Sequence, residues 1–381
     1  MTTASAGNAG KSMTILIAAV IGLVISAGLV FSDLASEGHA AFNTDNRGLF
    51  WGFPIVIYDY FLLTSTGLAM VASLGLLFAG EAFRPLFKRS IWLALAGLAG
   101  GVAVLMLELG HPLRALYAIP FSFAFASPLY WKVIAVSAYV VALLLLIART
   151  LKPGWQTAEL RTLATVTLVL ALAVTAIAGV VYGSQSFRPF WASGDIPVAF
   201  IFESLAGGLA FVFFFTYLAY GLSGAALPEG VKRLFGGRLT GLFALAILVH
   251  LLFVLARMVN GLYGNVEGLQ VWDSIATSPL FLFEVFVGLL LPLVLMANPG
   301  TRNAPGVQVV ASLLVMVALL ISRYEYIIGG QLVPLFKGSW APALLQYSPS
   351  ATEWLLLAVA VFIANAVNAF GENRLGIGSD R

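Results

Sequence analysis

Ten apolar runs, each near the length that crosses a bilayer, govern what this chain can fold into. They fall at roughly 13–31, 53–80, 91–108, 130–148, 163–182, 197–222, 239–258, 278–297, 308–328 and 351–370. About 20 apolar residues span the hydrocarbon core as a helix. A segment in lipid must satisfy its own backbone groups, so the runs are expected to be helical. None alternates apolar and polar residues as a membrane-barrel strand does. With 60% hydrophobic and 10% charged residues, the chain is too apolar for a soluble domain, whose exterior must stay wet. The expected class is an all-α polytopic membrane protein.

Orientation follows from the short loops. Lys11, Arg84, Lys88, Arg89, Arg149, Lys152, Arg161, Lys232, Arg233, Arg238, Arg302, Arg374 and Arg381 fall in one set of loops. Basic residues collect on the cytoplasmic side, which places both termini there. The first run follows Lys11 and precedes small residues near Ala35. It is longer than the apolar core of a secretory signal, so it reads as a retained anchor. The absence of cysteine excludes disulfides, thiolate-bound zinc and iron–sulfur clusters carried by this chain. No basic patch supports nucleic-acid binding.

Internal symmetry is the next signal. Ser127-Pro128-Leu129 opens the fourth run and Ser278-Pro279-Leu280 the eighth, each followed by apolar residues and a charge, Lys132 or Glu284. Gly67-Leu68-Ala69 in the second run matches Gly208-Leu209-Ala210 in the sixth. Four helices separate the copies, so the two halves would share one orientation. The expected architecture is a single membrane domain, 1–381, with two parallel four-helix bundles. Helices 2–5 (53–182) and 6–9 (197–328) form the bundles, flanked by helices 1 (13–31) and 10 (351–370). The plainer alternative is chance recurrence at helix starts, where proline is favoured anyway.

Charge within the apolar runs is one-sided. Asp59, Glu108, His111, Arg114, Lys132, Glu203, His250, Arg257, Glu284, Arg323 and Glu325 all map to the outer half or its rim. Intramembrane charges normally face a bundle interior or a water-filled cavity, and here they suggest a polar pocket open to the outside. Asp59 alone costs about 2.5–3.5 kcal/mol on insertion scales unless it finds a partner or water. Arg323 and Glu325 are too close in sequence to face one another on a helix. Glu284 or Glu203 on a neighbouring helix is the better partner for Arg323. The group Glu203, His250, Arg257, Glu284, Arg323 and Glu325 reads equally as a charge-compensated core or as a proton path. Water held near Thr64, Ser65, Asn365 and Asn368 could extend such a path inward. No metal site is expected. Bis-histidine haem needs two facing histidines within the bilayer, and only His250 lies deep in a run, with His111 and His39 in outer segments.

Five segments in order carry a resemblance. They are Trp51-Gly-Phe-Pro-Ile-Val-Ile-Tyr-Asp-Tyr60, Leu107-Glu-Leu-Gly-His-Pro-Leu-Arg114, Ser127-Pro-Leu-Tyr-Trp131, Arg323-Tyr-Glu-Tyr-Ile-Ile-Gly-Gly-Gln331 and Tyr347-Ser-Pro-Ser-Ala-Thr-Glu353. On a ten-helix frame they resemble the polysulfide reductase membrane subunit family (NrfD/PsrC), closest to its DsrP-like and HybB-like branches. The resemblance implies a quinone-reactive subunit of a respiratory oxidoreductase in a bacterial or archaeal cytoplasmic membrane. Such a subunit is not catalytic alone. It exchanges electrons between the quinone pool, menaquinone or ubiquinone, and a ferredoxin-like iron–sulfur subunit on the outer, periplasmic face. Further redox subunits lie beyond that partner. Members generally carry no haem, and some are proposed to move protons.

Quinone chemistry moves two electrons and two protons, so its site needs an apolar slot, hydrogen-bonding groups and a proton route. The outer ends of helices 2–4 offer all three. Asp59, Glu108 and His111 are the candidate proton-handling residues, His111 because its ordinary pKa lies near neutrality. Tyr58, Arg114, Tyr130 and Lys132 are the candidate quinone-binding residues. Plainer readings stand beside these: His111 and Arg114 as headgroup-level residues, Tyr58 and Tyr130 as an aromatic belt, Lys132 as a snorkelling side chain. Outer loops edged by Trp51, Trp191, Trp272 and Trp340 suit a docked subunit or the lipid interface. A secondary transporter with parallel repeats is the rival function, although its charges should reach mid-depth from both sides. A non-catalytic anchor is the third reading.

Overall fold

The computed structural model describes residues 3–44, 48–152, 154, 158–264, 268–335 and 342–377. Trp340 and Arg381 lie outside the described residues. Ten helices are long and apolar enough to cross a membrane, and no extended strand occurs among the described residues. They are α1 (Thr3–Glu37), α2 (Phe53–Leu74), α3 (Arg84–Glu108), α4 (Pro128–Thr150) and α5 (Ala158–Gly183). The chain continues with α6 (Ile196–Ala219), α7 (Arg238–Tyr263), α8 (Pro279–Ala297), α9 (Pro305–Gly329) and α10 (Ala351–Arg374).

Proline in the first turn starts α2, α3, α4, α6, α8 and α9, where its missing N–H costs no hydrogen bond. Ser278 caps α8 by accepting from the Phe281 amide. Ser350 and Glu353 form a reciprocal capping box at α10, satisfying two donors that the first turn leaves orphaned.

Two boundaries differ from expectation. The third run was expected to begin at residue 91, yet α3 starts at Arg84 and carries Lys88 and Arg89 on its opening turns. Apolar content stops at a charge, whereas a helix continues as long as its backbone bonds are met. Arg89 can stay in the helix because Glu372 on α10 accepts its Nε at 2.6 Å. In the second run the α-helix ends at Leu74 and a π-helical turn, Gly75–Ala79, follows. Gly80 then reverses the chain at φ +53°, a conformation that glycine adopts without steric cost.

In α8 a π-helical stretch, Phe283–Leu290, precedes Pro292. Proline removes one donor and crowds the carbonyl four residues back, so the turn before it widens.

α2 is the hub. It packs against α3, α5, α6, α9 and α10, and every residue from Phe53 to Ser73 except Ile55 is buried. α4 packs mainly on α5 and more lightly on α3. On the other side, α6 touches α7 and α9, and α8 lies between α7 and α9. α1 pairs with α10, which rests on α3. Close approach of backbones explains the tightest seam. A Cβ on Gly67 would overlap the Ser204 carbonyl, and one on Gly208 would overlap the Gly67 backbone, the small-residue crossing expected inside lipid.

Candidate functional site

Asp59 is fully buried one and a half turns into α2. Its carboxylate accepts from Lys132 Nζ on α4 at 2.7 Å and from the Tyr182 hydroxyl on α5 at 2.6 Å. Lys132 is 5% exposed, with its ammonium 4.9 Å from the centre of the Tyr58 ring. The snorkelling alternative for Lys132 is therefore incorrect. An aspartate across the bundle lets the ammonium stay buried, where it would otherwise stretch to the headgroups.

The second group is built around Arg323 on α9. Its Nε donates to Glu203 Oε1 on α6 at 2.9 Å, and Nη2 donates to Glu203 Oε2. Of the two partners expected, Glu203 is the one that pairs. The guanidinium also lies 3.8 Å from the Phe200 ring centre. Arg257 on α7 faces the Tyr326 ring at 4.4 Å. Glu325 accepts from the Ser278 hydroxyl at 3.2 Å. Glu284 and His250 are buried, and neither His250 nitrogen has a hydrogen-bond partner among the described residues.

The two groups form one network. Tyr182, which holds Asp59, packs its ring 5.5 Å from Tyr326, and Tyr326 lies 5.3 Å from the Arg323 guanidinium. Sequence reasoning missed Tyr182 and Tyr326. A tyrosine in an apolar helix carries no signal of its own, because its ring is at home there and only its hydroxyl needs a partner.

The connection leading into α2 is bonded to the end of α9. Gln331, last residue of the Ile-Gly-Gly-Gln segment, accepts from the Phe50 and Trp51 amides at 3.0 and 2.9 Å and donates to the Trp51 carbonyl at 2.9 Å. Trp51 stacks on Trp191, with ring centres 5.4 Å apart. A Cβ on Gly330 would overlap the Trp191 indole, which explains glycine there. Arg188 donates to the Gly48 carbonyl at 2.6 Å and to Val333 at 2.9 Å. Burial pulls its pKa below the ordinary guanidinium value. Tyr347 donates to Glu353 at 2.5 Å. Burial first, and the neighbouring carboxylate second, push its phenol above the ordinary value.

The remaining predicted residues are scattered. Tyr130 is buried against Phe125 and Trp131. His39 makes a 2.6 Å hydrogen bond with the Glu108 backbone carbonyl. His111 and Arg114 are exposed at the short helix Pro112–Ala118 and make no hydrogen bond or ion pair with Asp59 or Lys132. A cavity of about 710 Å³ lies at the end of the bundle that carries Tyr347, lined by Ser278, Tyr324, Glu325, Gln346 and Tyr347 among others. No group of three or more His, Asp or Glu suited to a metal ion occurs among the described residues.

The family model described as polysulphide reductase, NrfD, matches residues 42–335. The chain belongs to the NrfD family. Its relatives include a subunit of the selenate reductase of Mesobacillus selenatarsenatis, 24% identical over 355 residues, which cover 80% of each chain. A protein of Nitratidesulfovibrio vulgaris is 25% identical over 390 residues, covering 94% of this chain and 93% of its own. Protein NrfD of Escherichia coli is 24% identical over 317 residues, 75% of this chain and 96% of its own. The NrfD match encloses α2 to α9, hence both the Asp59 and the Arg323 pairs. A putative dimethyl sulfoxide reductase membrane subunit of Halobacterium salinarum is 24% identical over 356 residues, 83% of this chain and 80% of its own.

Proposed function

We propose that this chain is the quinone-reactive membrane subunit of an oxidoreductase complex. It exchanges electrons between the quinone pool and an iron–sulfur subunit docked on the outer face. The observation that carries the reading is Asp59, fully buried yet held by an ammonium and a phenol. A quinone, menaquinone or ubiquinone, takes up two electrons and two protons at its carbonyl oxygens when reduced and releases them when oxidised.

The donor set fits such a ring. Tyr58, Tyr130 and Trp131 supply aromatic wall, and in this reading the ring enters between α3 and α4, which pack lightly on each other. Lys132 Nζ donates to one Asp59 carboxylate oxygen. In this reading Asp59 takes a proton from the ring or returns one. The Tyr182 hydroxyl fixes the other carboxylate oxygen and links it toward Tyr326. Glu108 and His111 carry protons between this centre and outer water, and Arg114 sits at the rim. Electrons leave the chain directly to the partner's cluster, so the ring must sit near the outer surface.

Proton movement is part of the same reading. Ser204, both His250 nitrogens, Glu284 Oε1 and Arg323 Nη1 are buried without a protein partner among the described residues, and all lie on α6–α9. Buried polar atoms of this kind are served by ordered water. Water among these atoms would join Glu203, His250, Arg257, Glu284, Arg323 and Glu325 into a path. The positive-inside pattern supports cytoplasmic termini. The helix contacts support two four-helix bundles meeting at α2 and α6.

A second placement of the ring has one specific observation in its favour. The outer cavity beside Glu325, Ser278 and Tyr324 offers polar groups and apolar wall together. Oxidation of a soluble quinol analogue by the purified complex separates the two. Loss of turnover in Asp59→Asn with retention in Glu325→Gln supports the α2–α4 site, and the reverse moves the ring to the cavity. A wild-type complex inert toward quinols would sink both.

A further inference from the structure

We infer that the basic end of this protein holds an anionic phospholipid in a built groove between the end of α2 and the helices α6 and α7. The groove encloses about 390 Å³. Its wall is apolar, with Leu74, Phe78, Leu205, Leu209, Leu242 and Ala246 among the lining side chains. It exists because α2 stops packing as an α-helix. The π-helical turn Gly75–Ala79 swings the chain outward and leaves Phe78 82% exposed as a free wall. Two regular helices crossing there would close the gap.

Charge decides the occupant. Arg238, at the start of α7, is the charged residue of the lining. It is exposed and forms no ion pair or hydrogen bond with a described residue. Residues 229–238 carry Lys232, Arg233 and Arg238 against Glu229, three positive charges to one negative, a surplus of two. Glu229 is already bound to Lys232 at 2.8 Å.

Depth agrees with the charge. From Arg238 to Ala246 the α7 wall descends about 12 Å at 1.5 Å per residue, most of one leaflet of a roughly 30 Å hydrocarbon core. An acyl chain fills the slot while the phosphate meets Arg238, with Arg233 adding to the positive surface nearby. A neutral isoprenoid tail would leave Arg238 without a counter-ion, so a diacyl lipid with net negative charge fits better.

The test is native mass spectrometry of the delipidated full chain titrated with phosphatidylglycerol, phosphatidylcholine, inorganic phosphate and a quinone analogue. The expected result is one tightly retained phosphatidylglycerol and clearly weaker phosphatidylcholine, with phosphate alone unable to compete. Each arginine near the surface contributes on the order of 1 kcal/mol toward anionic lipid. Arg233→Gln with Arg238→Gln should therefore weaken retention roughly 30-fold. Leu242→Trp, on the lipid-facing wall and 54% exposed, should fill the slot and remove the bound lipid without touching charge. Equal binding of both phospholipids overturns the proposal. So does a quinone analogue that displaces the lipid and ignores the arginine changes, or full retention in Leu242→Trp.

Discussion

Gly67 on α2 and Gly208 on α6 lie backbone against backbone, and they are the two glycines that internal sequence symmetry pairs. Helices four apart in sequence thus meet at matching residues. A side chain at either position must push the two apart. Gly67→Val should lower stability by about 1–3 kcal/mol, the usual range for overpacking. Gly28→Ala on α1, where an added Cβ meets nothing within 4 Å, should be silent. Unfolding midpoints of the detergent-solubilised variants check this, and equal midpoints would refute the crossing.

The Asp59–Lys132 pair should behave as a buried ion pair. Asp59→Asn leaves the ammonium uncompensated, a loss of about 3–5 kcal/mol. Asp59→Asn with Lys132→Met removes both charges and should regain most of that stability. Quinol turnover should stay absent in both. A double variant that turns over quinol normally would show that the pair is only structural.

Gln331 offers a graded test. Gln331→Leu strands the Phe50 and Trp51 amides, each worth about 1–3 kcal/mol when buried without an acceptor. Gln331→Glu keeps the acceptor oxygen and loses the donation to Trp51, so it should fall between wild type and leucine. Tryptophan fluorescence near Trp51 and Trp191, followed through unfolding, reads the order. Leucine above glutamate would contradict the bonding seen here.

Tyr347 predicts an alkaline limb. Its folded pKa lies above the unfolded value of about 10, raised by burial and then by Glu353. The stabilisation is complete below the unfolded pKa and is lost as pH rises toward the folded one. Stability should therefore drop on going above about pH 10, with a smaller drop in Tyr347→Phe. Phenolate absorbance of wild type minus variant should place the Tyr347 step above that pH.

Much of the frame was legible beforehand because bilayer physics acts on composition alone. All ten spans follow from apolar length, and Asp59 stood out by the cost of its charge. What it pairs with was not legible, since Lys132 is 73 residues away and Tyr182 is 123. Such partners are chosen by helix packing, which apolar runs leave open. Glu203 was one of two partners offered for Arg323, because sequence separation could exclude Glu325 and nothing more. His111 and Arg114 are exposed, and sequence alone carried no sign of which groups they would face. The merging of the two charge groups depends on the Tyr182 and Tyr326 rings, which look like ordinary lipid-facing aromatics in the sequence.

The Gln331 bonds bear on motion as well as on position. They tie the lead-in of α2 to the end of α9, so the two ends of the matched region are latched together at one end of the bundle. The glycine crossing fastens the same halves at mid-depth. A carrier that rocks one half over the other would have to part both fastenings in every cycle. The proposed passing of electrons requires no such travel, and a frame stitched at two levels would hold quinone and partner at a constant separation while lipid flows around it.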